Sequence, residues 1–382
     1  MFTALAILFW LAVLVIAYVY VGYGLVISLL ARYRARPVVK DDITPSVTCL
    51  VAAYNEADCM ADKIANTLSL DYPPDLLDLL IVTDGSTDRT PEIVAACADP
   101  RVRLLHAPER GGKAAALIRA MPHATGEIVV FSDANSLFQP QALRHLVRPF
   151  ADPTVGGVSG AKRILNRSQA AQEQGENLYW RYETWLKRCD SAVSSVMGVP
   201  GEIWAARRTA WAPPEPTTLL DDFVASLRMV VAGWRIVFEP QAVASEEASP
   251  GLFAEWTRRV RNAAGGWQAF RQLPGMLRHP NRTITWQYLS HRMARWMLAP
   301  ALFVLAALTN LGLLAAPLYR ATALAQALFY GLAGLGWLLA ARKVRVGWLL
   351  APFYVCMLNA AALVGGWRYL RGRETVLWRK VR

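Results

Sequence analysis

Residues 2–31 contain no charged side chain. That run exceeds the roughly 20 apolar residues needed to cross a bilayer, and no other feature constrains the chain so strongly. A cleaved signal peptide is the competing reading. The run is long for one, no basic segment precedes it, and Arg32, Arg34 and Arg36 follow it. A retained anchor at 1–31 with its C-terminal end in the cytoplasm is expected, followed by a cytosolic linker at 32–44.

Three further charge-free runs, 296–319, 321–341 and 346–367, are bounded by Arg295, Arg320, Arg342 with Lys343 and Arg345, and Arg368. They predict about three membrane helices within 296–367. The stretch 271–295 mixes Arg278, Arg282, Arg292 and Arg295 with Met276, Trp286 and Tyr288, the pattern of an amphipathic segment lying in the interface. Apolar residues make up 54% of the chain and charged ones 18%, against about 25% in soluble domains. From Glu255 onward, 18 basic residues face two acidic ones, whereas residues 1–254 are net acidic. Basic charge that punctuates apolar runs points to anionic lipid headgroups rather than nucleic acid. Three crossings after a cytosolic domain would put the basic tail 368–382 outside, against the positive-inside preference; three spans are expected, with a re-entrant or interfacial run as the alternative. Five cysteines without a CxxC spacing read as buried, reduced thiols.

Between these apolar runs, residues 45–270 alternate strand and helix. The apolar runs 47–53, 79–82, 102–105 and 128–131 read as buried strands. Helical stretches are expected at 57–69, 91–98, 113–120 and 139–150. This pattern predicts an α/β domain with a mostly parallel sheet covered on both faces. Ligands of such sheets sit beyond the C-terminal strand ends. There the sequence places Asn55/Glu56, Asp84/Ser86/Asp88 and Asp133/Asn135. No GxGxxG follows the first strand, and the Gly111-Gly112-Lys113 string lacks the other residues of a P-loop. A nucleotide sugar fits better. Asp84 suits a nucleobase or ribose, and Lys113 at a helix start suits phosphate. Asp133 with Asn135 suits Mg2+ or Mn2+ bridging a diphosphate.

Tyr54-Asn55-Glu56, Asp84-Gly85-Ser86-Thr87-Asp88, Gly112-Lys113, Asp133-Ala134-Asn135 and Leu220-Asp221-Asp222-Phe223 resemble, in order, the motifs of family 2 glycosyltransferases with the GT-A fold. The membrane segments extend the likeness to the cellulose, hyaluronan and poly-N-acetylglucosamine synthase-like branch. The resemblance implies a Rossmann-like GT-A domain on the cytosolic face of a bacterial inner membrane, with transmembrane α-helices. It implies inverting transfer from a UDP-sugar to a polysaccharide or lipid-linked acceptor. Asp222 would be the base, an N-cap being its other reading. Tyr54, Glu56, Asp84, Lys113, Asp133, Arg258 and Arg261 would bind the donor, and Asp133 with Asn135 the metal. Glu202, Trp204 and Asp221 fall on the acceptor side. Arg258 and Arg261, one helical turn apart, would clamp the pyrophosphate or else form a basic face on lipid. Trp180 and Trp185 read as core.

The sequence departs from the family pattern at four places: Asn135 replaces an Asp, Asp221 a Glu, Arg258 a Gln and Asn262 a Trp. The last weakens the case for polymerisation. A single addition to a polyprenyl-phosphate or glycolipid acceptor is therefore the alternative. Four apolar segments suit a polymer channel only with a homo-oligomer or partner export components. A membrane scaffold or transporter with an inert nucleotide-binding domain is the non-enzyme alternative, without the paired repeats or intramembrane charges of transporters.

Overall fold

The seven residues of β1, Val47–Ala53, are buried along their whole length, because the strand has a parallel neighbour on each side and helices over both faces. It pairs with β2 (Leu77–Asp84) and β4 (Ile128–Asp133), and β2 pairs with the edge strand β3 (Val102–Ala107), all in parallel. The computed structural model describes residues 1–165, 172–247, 251–342 and 350–377. Beyond β4 the sheet continues through strands that the apolar runs did not announce: β7 (Trp204–Arg207), β6 (Val155–Leu165), β8 (Arg235–Glu247) and the two-residue β5 (Leu137–Phe138). β7 runs antiparallel to both β4 and β6, so the sheet is mixed and mostly parallel. The register sets Ala52 beside Asp133 and Ala53 beside Thr83, which brings Tyr54, Asp84 and Asp133 to one edge.

Helices form close to the expected places, at Ala57–Leu68, Thr90–Ala95 and Lys113–Ala120. The stretch expected at 139–150 is shorter, Ala142–Val147 followed by a 3-10 turn, because Pro149 interrupts it.

Four helices are long and apolar enough to cross a membrane: Phe2–Tyr33, Arg282–Leu311, Pro317–Ala341 and Leu350–Leu370. The second begins inside the stretch 271–295 expected to lie in the interface and continues past it. Helix Arg282–Gln287 runs without a break through a π-helical stretch, Tyr288–Leu298, into Ala299–Leu311. Arg292 and Arg295 turn inward onto the buried Glu183, and His291 Nδ1 donates to Asp190 at 2.6 Å. The last helix differs from the other three. Half of its most apolar window is buried, and it packs along the amphipathic helix Leu252–Gln272. Contact there is close: a Cβ on Gly365 would stand 2.4 Å from the Val260 carbonyl oxygen. Leu252 and Trp256 meet its other end at Leu350, Phe353 and Tyr354.

Candidate active site

The turn after β1 is built by Asn55, the sole non-glycine residue at positive φ (54°) among the described residues. Its side-chain carbonyl accepts from the Thr87 amide at 2.8 Å, tying the 54–56 turn to the 84–88 loop. Asp88 accepts from the amides of Ala57 (3.1 Å) and Thr90 (3.0 Å), so it caps two helices and is structural. Glu56 is buried and accepts from the Cys59 thiol at 3.4 Å. The Tyr54 ring is covered by the Arg110 guanidinium at 3.5 Å. Asp84 is fully buried, with its oxygens on the Gly111 (3.0 Å) and Gly112 (2.8 Å) amides. It therefore shapes the glycine loop that leads to Lys113 and does not face an open cleft.

The reactive groups meet over Gly201. A Cβ at that position would lie 3.0 Å from Lys113 Nζ, 3.3 Å from Asp222 Oδ2 and 3.4 Å from Asp133 Oδ2. Lys113 donates to Asp133 at 2.6 Å and lies 4.0 Å from Asp221. Burial opposes the charge on Lys113, yet Asp133, Asp221 and Asp222 hold its pKa well above the usual lysine range. Asp222 is pushed up to about 7 by burial and by the charge of Asp221, against the pull of Lys113. Asp221 is raised too, chiefly by burial. The pair opens helix Asp221–Val231, whose N-cap is Leu220. The N-cap reading of Asp222 is thereby corrected. A carboxyl at that position with a pKa near neutrality matches the requirements of a general base.

Around this centre lies a second charged group that the sequence did not reveal. Lys162 on β6 reaches both Glu202 and Glu246, and Glu246 accepts from the Asn135 amide at 2.6 Å. Burial alone would raise the pKa of Glu202; Lys162 instead holds it down to about 2. Glu202 is therefore a fixed anion. Lys162 and Glu246 carried no sequence signal, since each lies within a strand whose path only the sheet defines.

Arg258 and Arg261 part company despite sharing a helix face. Arg258 and Arg259 both pair with Glu255, at 3.0 and 2.6 Å through their Nε atoms. Arg258 is thus an intrahelical partner in this conformation and not a free clamp. Arg261 donates to the carbonyls of Thr375 (3.0 Å) and Val376 (3.2 Å). The strap 373–377 that follows the last helix also passes over the glycine loop, its Val376 oxygen 3.4 Å from a Cβ on Gly112. Trp204 is a correction. It is 2% exposed and stacked on Phe131 at 4.2 Å, so it belongs to the core and offers no face to an acceptor. Trp185 is 37% exposed and lies against the anchor helix at Gly24, not in the core. The Trp180 side chain lies outside the described residues.

With this geometry in hand, comparison with known proteins identifies the domain. Residues 48–210 match the model of Glycosyl transferase family 2, and they form a domain of that family on a GT-A-like sheet. The chain is 30% identical over 236 residues to a beta-monoglucosyldiacylglycerol synthase of Nostoc sp., covering 59% of this chain and 50% of that protein. It is 27% identical over 239 residues to a poly-beta-1,6-N-acetyl-D-glucosamine synthase of Staphylococcus aureus, covering 60% and 57%. The chain thus spans about half the length of the curated relatives it matches. A mannosyltransferase of Pyrobaculum calidifontis, solved in complex with GDP-Man and Mn2+, superposes with a TM-score of 0.72. Its sequence is 26% identical, and the match covers 96% of this chain and 100% of that one.

Proposed function

We propose that this protein is a membrane-bound inverting glycosyltransferase that moves a sugar from a nucleotide donor to an acceptor hydroxyl at the cytoplasmic face. The convergence of Lys113, Asp133 and Asp222 over the bare backbone of Gly201 carries the reading. Asp222 takes the proton from the attacking hydroxyl. Lys113, and Arg261 once it leaves the strap carbonyls, meet the departing diphosphate. Tyr54 lies on the nucleoside side, and Asp84 serves it through the glycine loop.

A divalent cation fits. Among the described residues no three His, Cys, Asp or Glu side chains form a metal cage. A cation of the Mg2+ or Mn2+ type, however, needs only one or two carboxylates when substrate phosphates complete its shell. Asp133 would hold it, with Asn135, whose amide nitrogen donates to Glu246 and leaves its carbonyl oxygen as the group that would serve as a ligand. When bound, the cation would neutralise charge on the diphosphate.

The acceptor is a polysaccharide or lipid-linked hydroxyl. Single addition to a lipid-borne acceptor is favoured by Trp204, which is packed on Phe131 and offers no aromatic platform for a growing chain. The strap supports one membrane arrangement. Thr375 and Val376 touch Arg261 and Gly112, which fits a chain that returns to the side it left after an even number of crossings. Helices Arg282–Leu311 and Pro317–Ala341 make those two crossings, and Leu350–Leu370 lies in the interface along Leu252–Gln272. Both Arg342 and the basic tail then fall on the cytoplasmic side, as the positive-inside preference asks.

Purified protein in detergent, screened against UDP- and GDP-sugars for release of nucleoside diphosphate, tests the activity and names the donor. A UDP-sugar is expected, and release from none would overturn the reading. Single cysteines at Thr375 and at Gly312 test the topology. Thiol reagent should label the first from the cytoplasmic side and the second from the opposite side.

A further inference from the structure

Four buried or half-buried lysines surround the site, and two of them, Lys63 and Lys187, make no ion pair among the described residues; Lys63 is the more deeply buried. Lys113 and Lys162 each face carboxylates. Lys63, on helix Ala57–Leu68, is 1% exposed and donates to two neutral oxygens, the Ser132 hydroxyl and the Ser136 carbonyl, both at 2.7 Å. The Phe138 ring lies 4.3 Å from the ammonium. An ammonium among neutral groups is expensive to bury, and burial pulls this one down to about 8. A methionine would fill the same space without that penalty. What the charge holds is therefore the question.

It holds the metal and donor loop from behind. Ser132 and Ser136 bracket Asp133 and Asn135. The Ser132 hydroxyl also lies 3.1 Å from the Glu202 carbonyl, on the loop next to Gly201. One ammonium thus joins the end of β4, the turn beyond Asp133 and the loop facing Asp222. On the opposite flank the loop is held by Asn135 on Glu246. Both flanks are tied, and Lys63 reaches the loop with two hydrogen bonds, one to Ser132 and one to Ser136.

We propose that Lys63 is a positioning residue for transfer. It fixes turn 132–136 against the Glu202 loop, so that Asp133 meets the donor diphosphate and its cation at a set distance from Asp222. This inference rests on the glycosyltransferase reading above. Its role is exercised through Asp133, and Lys63 touches no reacting atom.

The test uses the full chain in detergent with K63M and S132A, measuring donor KM, half-saturating Mn2+, kcat, the pH midpoint of the rate and the melting temperature. K63M should raise donor KM and half-saturating Mn2+ together by about tenfold, as lost outer contacts to a metal ligand do. The pH midpoint set by Asp222 should not move. S132A keeps the ammonium but cuts the link to Glu202, and should shift the same two constants in the same direction by a smaller factor. Wild-type values of both constants in S132A and K63M overturn the proposal, as does a fall in kcat with both constants unchanged. Should K63M not fold, S132A decides by the same two readings. Wild-type protein that releases no nucleoside diphosphate from any sugar nucleotide refutes the underlying reading instead, which keeps the two failures apart.

Discussion

Two acidic side chains near Gly201, both taken largely out of water, end in opposite states. Asp222 is pushed up to about 7 and Glu202 is held down to about 2. Burial raises both. The difference is the nearest partner: a second carboxylate, Asp221, beside Asp222, and an ammonium, Lys162, against Glu202. A raised carboxyl can exchange a proton near neutral pH. A depressed one is a permanent anion that fixes its cation. Asp222 thus has the proton affinity that the proposed base needs, and Glu202 the fixed charge of a structural partner, although residue type and burial alone would not separate them.

The comparison can be broken most sharply at Asp222. D222N should lower kcat by about a thousandfold, within the range that a positioned base contributes, while donor binding measured by calorimetry stays near wild type. A D222N enzyme of normal rate would transfer the base role elsewhere. Next in size is K162M, which leaves Glu202 and Glu246 without their shared cation. Breaking a buried pair from one side costs about 3 kcal/mol, so the melting temperature should fall clearly, and an unshifted melt would show that the pair is not what holds this loop.

The pH dependence sharpens the same contrast. A base works deprotonated, so below a pKa of about 7 the rate should drop roughly tenfold per pH unit and level off above it. Stability moves the other way. Folded Asp222 retains a proton that the unfolded chain loses at ordinary carboxylate pKa, so stability falls as pH rises from there to about 7. Glu202 contributes stability that is present above the ordinary carboxylate range and lost as pH falls towards about 2. Rate profiles of wild type and E202Q should share one midpoint; a midpoint displaced in E202Q would make Glu202 part of the titrating unit. The smallest effect is expected at Trp204. W204F should cost about 1–2 kcal/mol of stability, as a core truncation does, with acceptor KM unchanged. A raised acceptor KM at full stability would return Trp204 to the acceptor site.

Much of the site was legible before any coordinates. Asp84, Lys113 and Asp133 stand at the ends of apolar runs or the start of a helix, where parallel strands deliver polar residues to one edge. Other residues were legible as types but not as roles. Arg258 and Arg261 share a helix face, yet Glu255 one turn away captures the first, and strap carbonyls more than a hundred positions on receive the second. Trp204 looked like a sugar platform until β7 turned it onto Phe131. Lys63, Lys162 and Glu246 lie in ordinary helical or strand contexts and gain meaning only from neighbours 40 to 111 residues away.

By itself, the sequence determined the membrane attachment, the alternating sheet and the order of acidic motifs along its edge, because these follow from hydrophobic period and charge-free length, which are local properties. Only the tertiary structure decided which carboxyl is pushed up towards neutrality and which is held as an anion, which arginine is captured by Glu255 and which by the strap, and that the last apolar helix packs along helix Leu252–Gln272. Ionisation and pairing depend on the distance to partners remote in the chain, and no local pattern encodes that distance.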